Sequence, residues 1–254
     1  MTADAQTIRA DLVALSNRLG DPALDLAILG EGNTSADLGD GTFLVKASGC
    51  ELATLGPEHL VQVSAEACAT MLDGPDLTDD QIKAGLTDAV VDGSGLRPSV
   101  ETVLHATLLT LPGVTHIGHT HPTSVNGLAC SDAADRLADR LFPDHIVVCG
   151  PDAVLVDYVD PGLPLARAVR DGCTAYRDRH GEVPKQVFLR SHGFIALGAS
   201  AAEVVQIHRM TTKAARILSG ALAAGTPVAL TPQQIARIHG RDDEHHRRAM
   251  LRGD

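Results

Sequence analysis

The chain has 254 residues and 21 basic against 32 acidic side chains, a formal charge of −11, with 44% hydrophobic residues and an aromatic set of four Phe, two Tyr and no Trp. That length suffices for one large core. An acidic surface with so few stacking rings excludes a general nucleic-acid binder and, on the same charge argument, a protein that docks on anionic membranes.

No apolar run reaches the roughly 20 residues of a spanning helix. The start, MTADAQTIRADL, carries Asp4 and Asp11 where a secretion signal is basic and then apolar, so a cytoplasmic location is expected. Residues 6–19 place Ile8, Leu12, Leu15 and Leu19 at helical spacing and stop at Gly20-Asp21-Pro22. From Ala27 to Leu60 short β-prone runs flank Gly39-Asp40-Gly41, the signature of a hairpin. A helix is expected over 99–111, capped by Ser99 and ended by Pro112-Gly113, then a strand through VTHIGHTH and a helix after Pro122 carrying Val125 to Leu137. Strands are expected at 146–150, 153–158 and 186–197, around a helix at 163–177. Two C-terminal helices follow, Ser200–Leu222 and Thr231–Leu251, with capping signals at Ser200/Glu203 and Thr231-Pro232. With no repeat or linker, the expectation is one domain over 1–254, a sheet covered by helices.

His119-Thr120-His121 puts two imidazoles at i and i+2 of a strand, on one face, where both reach one metal ion. His192 lies in RSHGF, where Gly193 permits close approach. Three neutral imidazoles with an open position describe a catalytic zinc site, and scattered surface histidines are the alternative. Glu101, in the first turn of the helix before the strand, reads as a fourth ligand, as a general base above the metal, or as a carboxylate that merely favours the helix dipole. Gly30-Glu31-Gly32-Asn33-Thr34-Ser35 and Lys46-Ala47-Ser48-Gly49, with the helix start at Ser99, offer amides, hydroxyls and a cation to an anion. Neither segment is a nucleotide-binding fingerprint. The run Arg241–Arg248 reads as a solvated helical face, or as a cover if its helix closes over a pocket. Cys50, Cys68, Cys130, Cys149 and Cys173 lack CxxC or CxC spacing and read as buried thiols in a reducing compartment.

Taken in order, Gly32-Asn33-Thr34-Ser35, Lys46-Ala47-Ser48-Gly49, Pro98-Ser99-Val100-Glu101, His119-Thr120-His121 and Ser191-His192-Gly193 resemble the class II aldolase/adducin-type family over most of the chain. GEGNTS, PSVETVLH and HTHP look most like the aldolase domain of bifunctional rhamnulose-1-phosphate aldolase/dehydrogenases, and fuculose-phosphate aldolase is also similar. No dinucleotide-binding fingerprint occurs before Asp254, so a dehydrogenase half is not expected.

The resemblance implies a three-layer α/β/α fold with a largely antiparallel central sheet, a homotetramer and active sites between subunits. It implies a divalent ion, zinc first and Mn2+, Co2+ or another as alternatives, on His119, His121 and His192. It implies Glu101 as the acid/base and Asn33, Ser48, Gly49 and Ser99 around a substrate phosphate; Lys46, in the same segment as Ser48 and Gly49, is a further candidate contact from its charge. The implied reaction is reversible cleavage of a ketose 1-phosphate or related hydroxy-keto compound, through an enediolate, into a dihydroxyacetone-type donor and a small aldehyde. A decarboxylase or sugar-phosphate epimerase uses the same chemistry; a scaffold like the adducin heads has no need of three convergent imidazoles. Two positions depart from the family: Val100 replaces a second hydroxyl after Ser99, and LFPDHIVVCG holds no tyrosine to exchange the aldehyde-oxygen proton, while Tyr158 matches a later family position. Asp144, His145 and His245 are the remaining candidates for that acid.

Overall fold

The computed structural model describes residues 4–241. Its spine is a seven-stranded sheet: β1 (Asn33–Asp37), β2 (Thr42–Lys46), β3 (Leu60–Ser64), β4 (His116–Thr120), β5 (Val154–Val156), β6 (Gln186–Leu189) and β7 (Gly193–Gly198). They run β3-β2-β1-β4-β7-β6-β5, and every neighbouring pair is antiparallel except β5 with β6. The hairpin at 39–41 therefore joins β1 to β2, and the 186–197 segment folds back on itself as β6 and β7.

Side-chain alternation sends each strand's apolar residues into two cores, one on each face of the sheet. One contains Phe43, Val45, Ile117, Ile195 and Leu197 beneath α2 (Ala65–Asp73), α3 (Asp79–Asp88), α4 (Thr102–Leu109) and α7 (Leu163–His180). The other contains Ala36, Leu44, Phe188, Phe194 and Ala196 beneath α1 (Ala5–Leu19), α5 (Thr123–Ala129), α6 (Pro143–Cys149) and α8 (Ala201–Ala224). α9 (Pro232–His239) packs on α6. The result is the expected three-layer α/β/α arrangement. Among the described residues no helix is long and apolar enough to cross a membrane.

Several elements depart from expectation. The 146–150 segment is not a strand but the second half of α6, with Pro143 at its first turn. Its Ile-Val-Val-Cys run is buried because the helix lies between α8 and α9, and a short apolar run has no periodicity that separates helix from strand. The helix after Pro122 ends at Ala129, and a 3-10 turn, Ala134–Ala138, follows the break at Ser131, whose hydroxyl donates to the Leu128 carbonyl. α4 starts later than expected, with Glu101 rather than Ser99 at its cap. Ser99 shapes the preceding turn instead: its carbonyl accepts from Thr102 N at 3.0 Å and its Oγ accepts from Glu101 N at 3.3 Å. The final helix is described as far as His239; the expected continuation to Leu251, most of the charged run and His245 lie outside the described residues.

Candidate metal centre

Three elements meet at one end of the sheet. β4 delivers His119 as its fourth residue and His121 just beyond its end, both on the α4 side. The β6–β7 turn delivers His192, with Ser191 in the left-handed region (φ 51°). Gly193 next to it is required by proximity, because a Cβ there would lie 2.6 Å from Thr120 O, 2.7 Å from His121 Cδ2 and 3.2 Å from His119 Cε1. The three rings pack edge to face with centroids 4.9, 5.0 and 5.1 Å apart.

Local hydrogen bonds orient them. His119 Nδ1 donates to Phe194 O at 3.1 Å, so Nε2 keeps its lone pair for the centre. His121 N–H donates to Leu26 O at 2.9 Å, and Asn126 Nδ2 donates to His192 O at 3.0 Å. Burial lowers the His119 pKa to about 4 and, reinforced by His119, also lowers that of His121. Both imidazoles are therefore neutral near pH 7, the form that binds metals.

One ligand atom from each of the three histidines lies within 4.8 Å of the others, and the group could hold a metal ion. His119 Nε2 and His121 Nε2 are 3.2 Å apart. Two nitrogens on one tetrahedral zinc, each about 2.0–2.1 Å from it, are separated by about 3.3 Å, so the donors present fit such an ion.

Glu101 closes the group. Its Oε1 is 3.2 Å from His192 Nε2, its Oε2 3.6 Å from His119 Nε2, and Asn33 Nδ2 donates to Oε2 at 3.2 Å and to Ser99 Oγ at 3.0 Å. Burial works against the charged carboxylate, but His119 and His192 outweigh it and hold the pKa well below the usual carboxylate range. The start of α4 beneath it favours the same charge.

The anion-loop residues converge beside Glu101. Ala47 and Pro98 form a β-bridge, Ser48 N donates to Arg97 O at 2.8 Å, and Gly49 sits in the left-handed region (φ 80°) next to Gly30. Ser48 and Gly49 are exposed, whereas Lys46 is buried, its Nζ donating to Cys50 O at 2.7 Å and Gly30 O at 3.3 Å. The acid candidates stand apart. His145 is buried against Phe142 and lines a small cavity with Phe188 and Leu218 on the sheet's other face, and Asp144 beside it is half-buried. Tyr158 is exposed, its hydroxyl donating to Asp160 at 3.1 Å.

Sequence reasoning missed two supports. Glu31, read as part of an anion loop, accepts from Ile28 N at 3.1 Å and brings Oε1 to 3.8 Å from His121 Nδ1. His105, one turn beyond Glu101, is fully buried with Nδ1 2.7 Å from Ser35 Oγ. Its Glu101-to-His105 spacing of four on α4 was the available signal.

The family model "Class II Aldolase and Adducin N-terminal domain" matches residues 10–219. The chain belongs to this class II aldolase/adducin family. Among curated proteins it is 26% identical over 196 residues to an uncharacterized oxidoreductase, YuxG, of Bacillus subtilis (strain 168), covering 74% of this chain but only 26% of that protein. Solved class II structures share the fold. YgbL from Klebsiella pneumoniae, described as a putative aldolase/epimerase/decarboxylase, superposes with a TM-score of 0.70 at 22% identity over 92% of this chain and 98% of that one. An L-fuculose 1-phosphate aldolase superposes with a TM-score of 0.69 at 20% identity over 94% of this chain and 96% of that one.

Proposed function

We propose that the chain is a divalent-metal-dependent aldolase that reversibly cleaves a ketose 1-phosphate, or a related hydroxy-keto compound, into a dihydroxyacetone-type donor and a small aldehyde. The observation that carries this reading is the Glu101 carboxylate at the edge of three converging imidazoles, 3.2 Å from His192 and 3.6 Å from His119. Breaking a carbon–carbon bond beside a carbonyl leaves the electron pair as an enediolate, which takes a proton at carbon from a placed acid. His119, His121 and His192 would hold the ion, zinc first, and its chemistry there is Lewis acidity toward a carbonyl and the adjacent hydroxyl oxygen.

Glu101, ionised in the resting site, removes the proton from the donor carbon in addition, and in cleavage passes to that carbon a proton it has first taken up from solvent. Asn33 Nδ2 holds one carboxylate oxygen in place, and Asn33 Oδ1, with no hydrogen-bond partner among the described residues, offers an acceptor to a substrate hydroxyl. Ser48, Gly49, Ser99 and Asn33 surround the donor's phosphate in this reading. Lys46 acts from beneath by fixing both loops. The aldehyde-oxygen proton is exchanged by a group from a neighbouring subunit; of the two described candidates Asp144 is half-buried and His145 is buried. A homotetramer with sites between subunits is part of the proposal, and Ile28 and Leu29, 64% and 73% exposed beside Glu31, support a contact face there. A cytoplasmic setting is also part of it, in keeping with five free cysteines.

The test is proton exchange without an aldehyde. Zinc-loaded protein with dihydroxyacetone phosphate in D2O is expected to incorporate one deuteron per molecule, read by NMR, with no incorporation after chelation. Absence of exchange with this donor and with dihydroxyacetone overturns the aldolase reading. It then favours the decarboxylase or epimerase alternative, which the likeness to YgbL supports.

A further inference from the structure

Away from the histidines, a cleft of about 410 Å³ runs between the 23–26 segment and the outer face of α8, lined by Leu24, Leu26, Ile217, Arg209, Lys213 and Arg216. We propose that this cleft binds a small organic anion, a phosphate or carboxylate carrying a short apolar portion.

The charge pattern carries the argument. Arg209, Lys213 and Arg216 follow one another at spacings of four and three on a single helix, so they share a face and repel one another. None of them has a carboxylate partner among the described residues. Several other arginines are paired with acids: Arg18 with Asp21, Arg136 with Asp139, Arg167 with Asp76, Arg170 with Asp73 and Arg190 with Asp135. In a chain with 32 acidic and 21 basic residues, three adjacent cations without acidic partners among the described residues form a concentrated positive field, which favours an anion from solution. Among the described residues no acidic side chain lines the cleft, and Asp25 in the wall segment is engaged by the Thr123 hydroxyl.

The other surfaces set the rest of the ligand. Leu24, Leu26 and Ile217 supply an apolar floor, and Ile217 is 39% exposed. Lys213 is drawn over the Phe142 ring, 5.4 Å from its centroid, which fixes one cation at the rim. The opposite wall is preformed: Asp21 caps Ala23 N at 3.0 Å, Asp25 accepts from the Thr123 hydroxyl at 2.9 Å, and Leu26 O accepts from His121 N at 2.9 Å. An open cleft of this size with an apolar floor and a few convergent polar groups falls within the volume range of small-molecule sites.

Calorimetric titration of chelator-treated protein tests the site independently of the histidine centre. Monohexyl phosphate is expected to bind once per chain, more tightly than inorganic phosphate, and R209A/R216A, which removes two cations, is expected to weaken it by at least roughly tenfold. The variant's Tm should match the wild type, since both side chains are exposed. Hexanoate that binds in competition extends the site to carboxylates; hexanoate that does not restricts it to phosphates. Equal affinity in the two proteins, or no binding to either, overturns the proposal. A fall in oligomeric mass of R209A/R216A by light scattering also overturns it, assigning the cleft to contact between copies.

Discussion

Asn33 and Glu101, 68 residues apart in the chain, are joined by a 3.2 Å hydrogen bond from Asn33 Nδ2 to Glu101 Oε2. Asn33 opens β1 opposite His119 of β4, so the antiparallel register that pairs these two strands also carries the amide to the carboxylate. The acid/base candidate is thus aligned with the histidines by the sheet itself and not by its own loop.

Glu101→Gln keeps the shape and the Asn33 contact in part but replaces the carboxylate with an amide that neither takes up nor gives up a proton near neutral pH. Donor exchange and cleavage are expected to fall by about 10²–10⁴, the usual contribution of a placed acid/base, with metal content unchanged. Turnover at the wild-type rate would remove Glu101 from that role.

His119→Ala deletes the most buried of the three imidazoles. Bound zinc and activity are expected to be lost together, as read by elemental analysis of dialysed protein. Stoichiometric zinc in the variant would show that the ligand set is different.

Gly193→Ala puts a methyl group 2.6 Å from Thr120 O and 2.7 Å from the His121 ring. The His192 turn or His121 must shift, and metal affinity is expected to drop about 10–100-fold, as for other disturbances of the shell around metal ligands. Competition against a chelator measures it, and wild-type affinity would show that the turn yields without moving either histidine.

Lys46→Met removes the ammonium that joins the Gly30 and Cys50 carbonyls while keeping the buried stem. Stability is expected to fall by about 1–3 kcal/mol, the penalty for leaving buried acceptors unpaired. An unchanged denaturation midpoint would mean that water satisfies both carbonyls.

Acid should unfold the metal-free protein in a defined window. Burial lowers His105, His119 and His208 from 6.5 to about 4, so the unfolded chain binds protons that the folded chain refuses. Their contribution is complete above about pH 6.5 and declines as pH falls toward 4. Glu101, held ionised below its ordinary value of 4.5, adds to the loss below that pH. Tm measured in chelator at pH 7.5, 6 and 4.5 should therefore fall at each step, and a flat profile would contradict the neutral buried imidazoles.

Much of the centre was legible because its residues come in short motifs. His119 and His121 share a face by strand alternation alone, and His192 was marked by its glycine. Glu31 and His105 were not legible as supports: one sits in a loop whose path depends on Leu26 and His121, the other points from α4 to Ser35 on a strand distant in sequence. Lys46 looked like an anion ligand because a cation beside Ser48-Gly49 reads that way locally; its burial is set by where β2 lies within the sheet.

The sequence by itself determined the elements whose signals are local: α1, the β1–β2 hairpin, α7 and the start of α8, through apolar spacing, turn glycines and caps. It also determined that His119 and His121 share a face, because two imidazoles at strand spacing need no partner to do so. Tertiary structure decided what depends on neighbours. Ile146-Val147-Val148-Cys149 became helix because α8 and α9 enclose it on two sides, and a run of four apolar residues has no period of its own. Only the antiparallel register of β1, β4 and β7 brought Asn33, His119 and the His192 turn to Glu101, since strand pairing acts over sequence separations that no local pattern encodes.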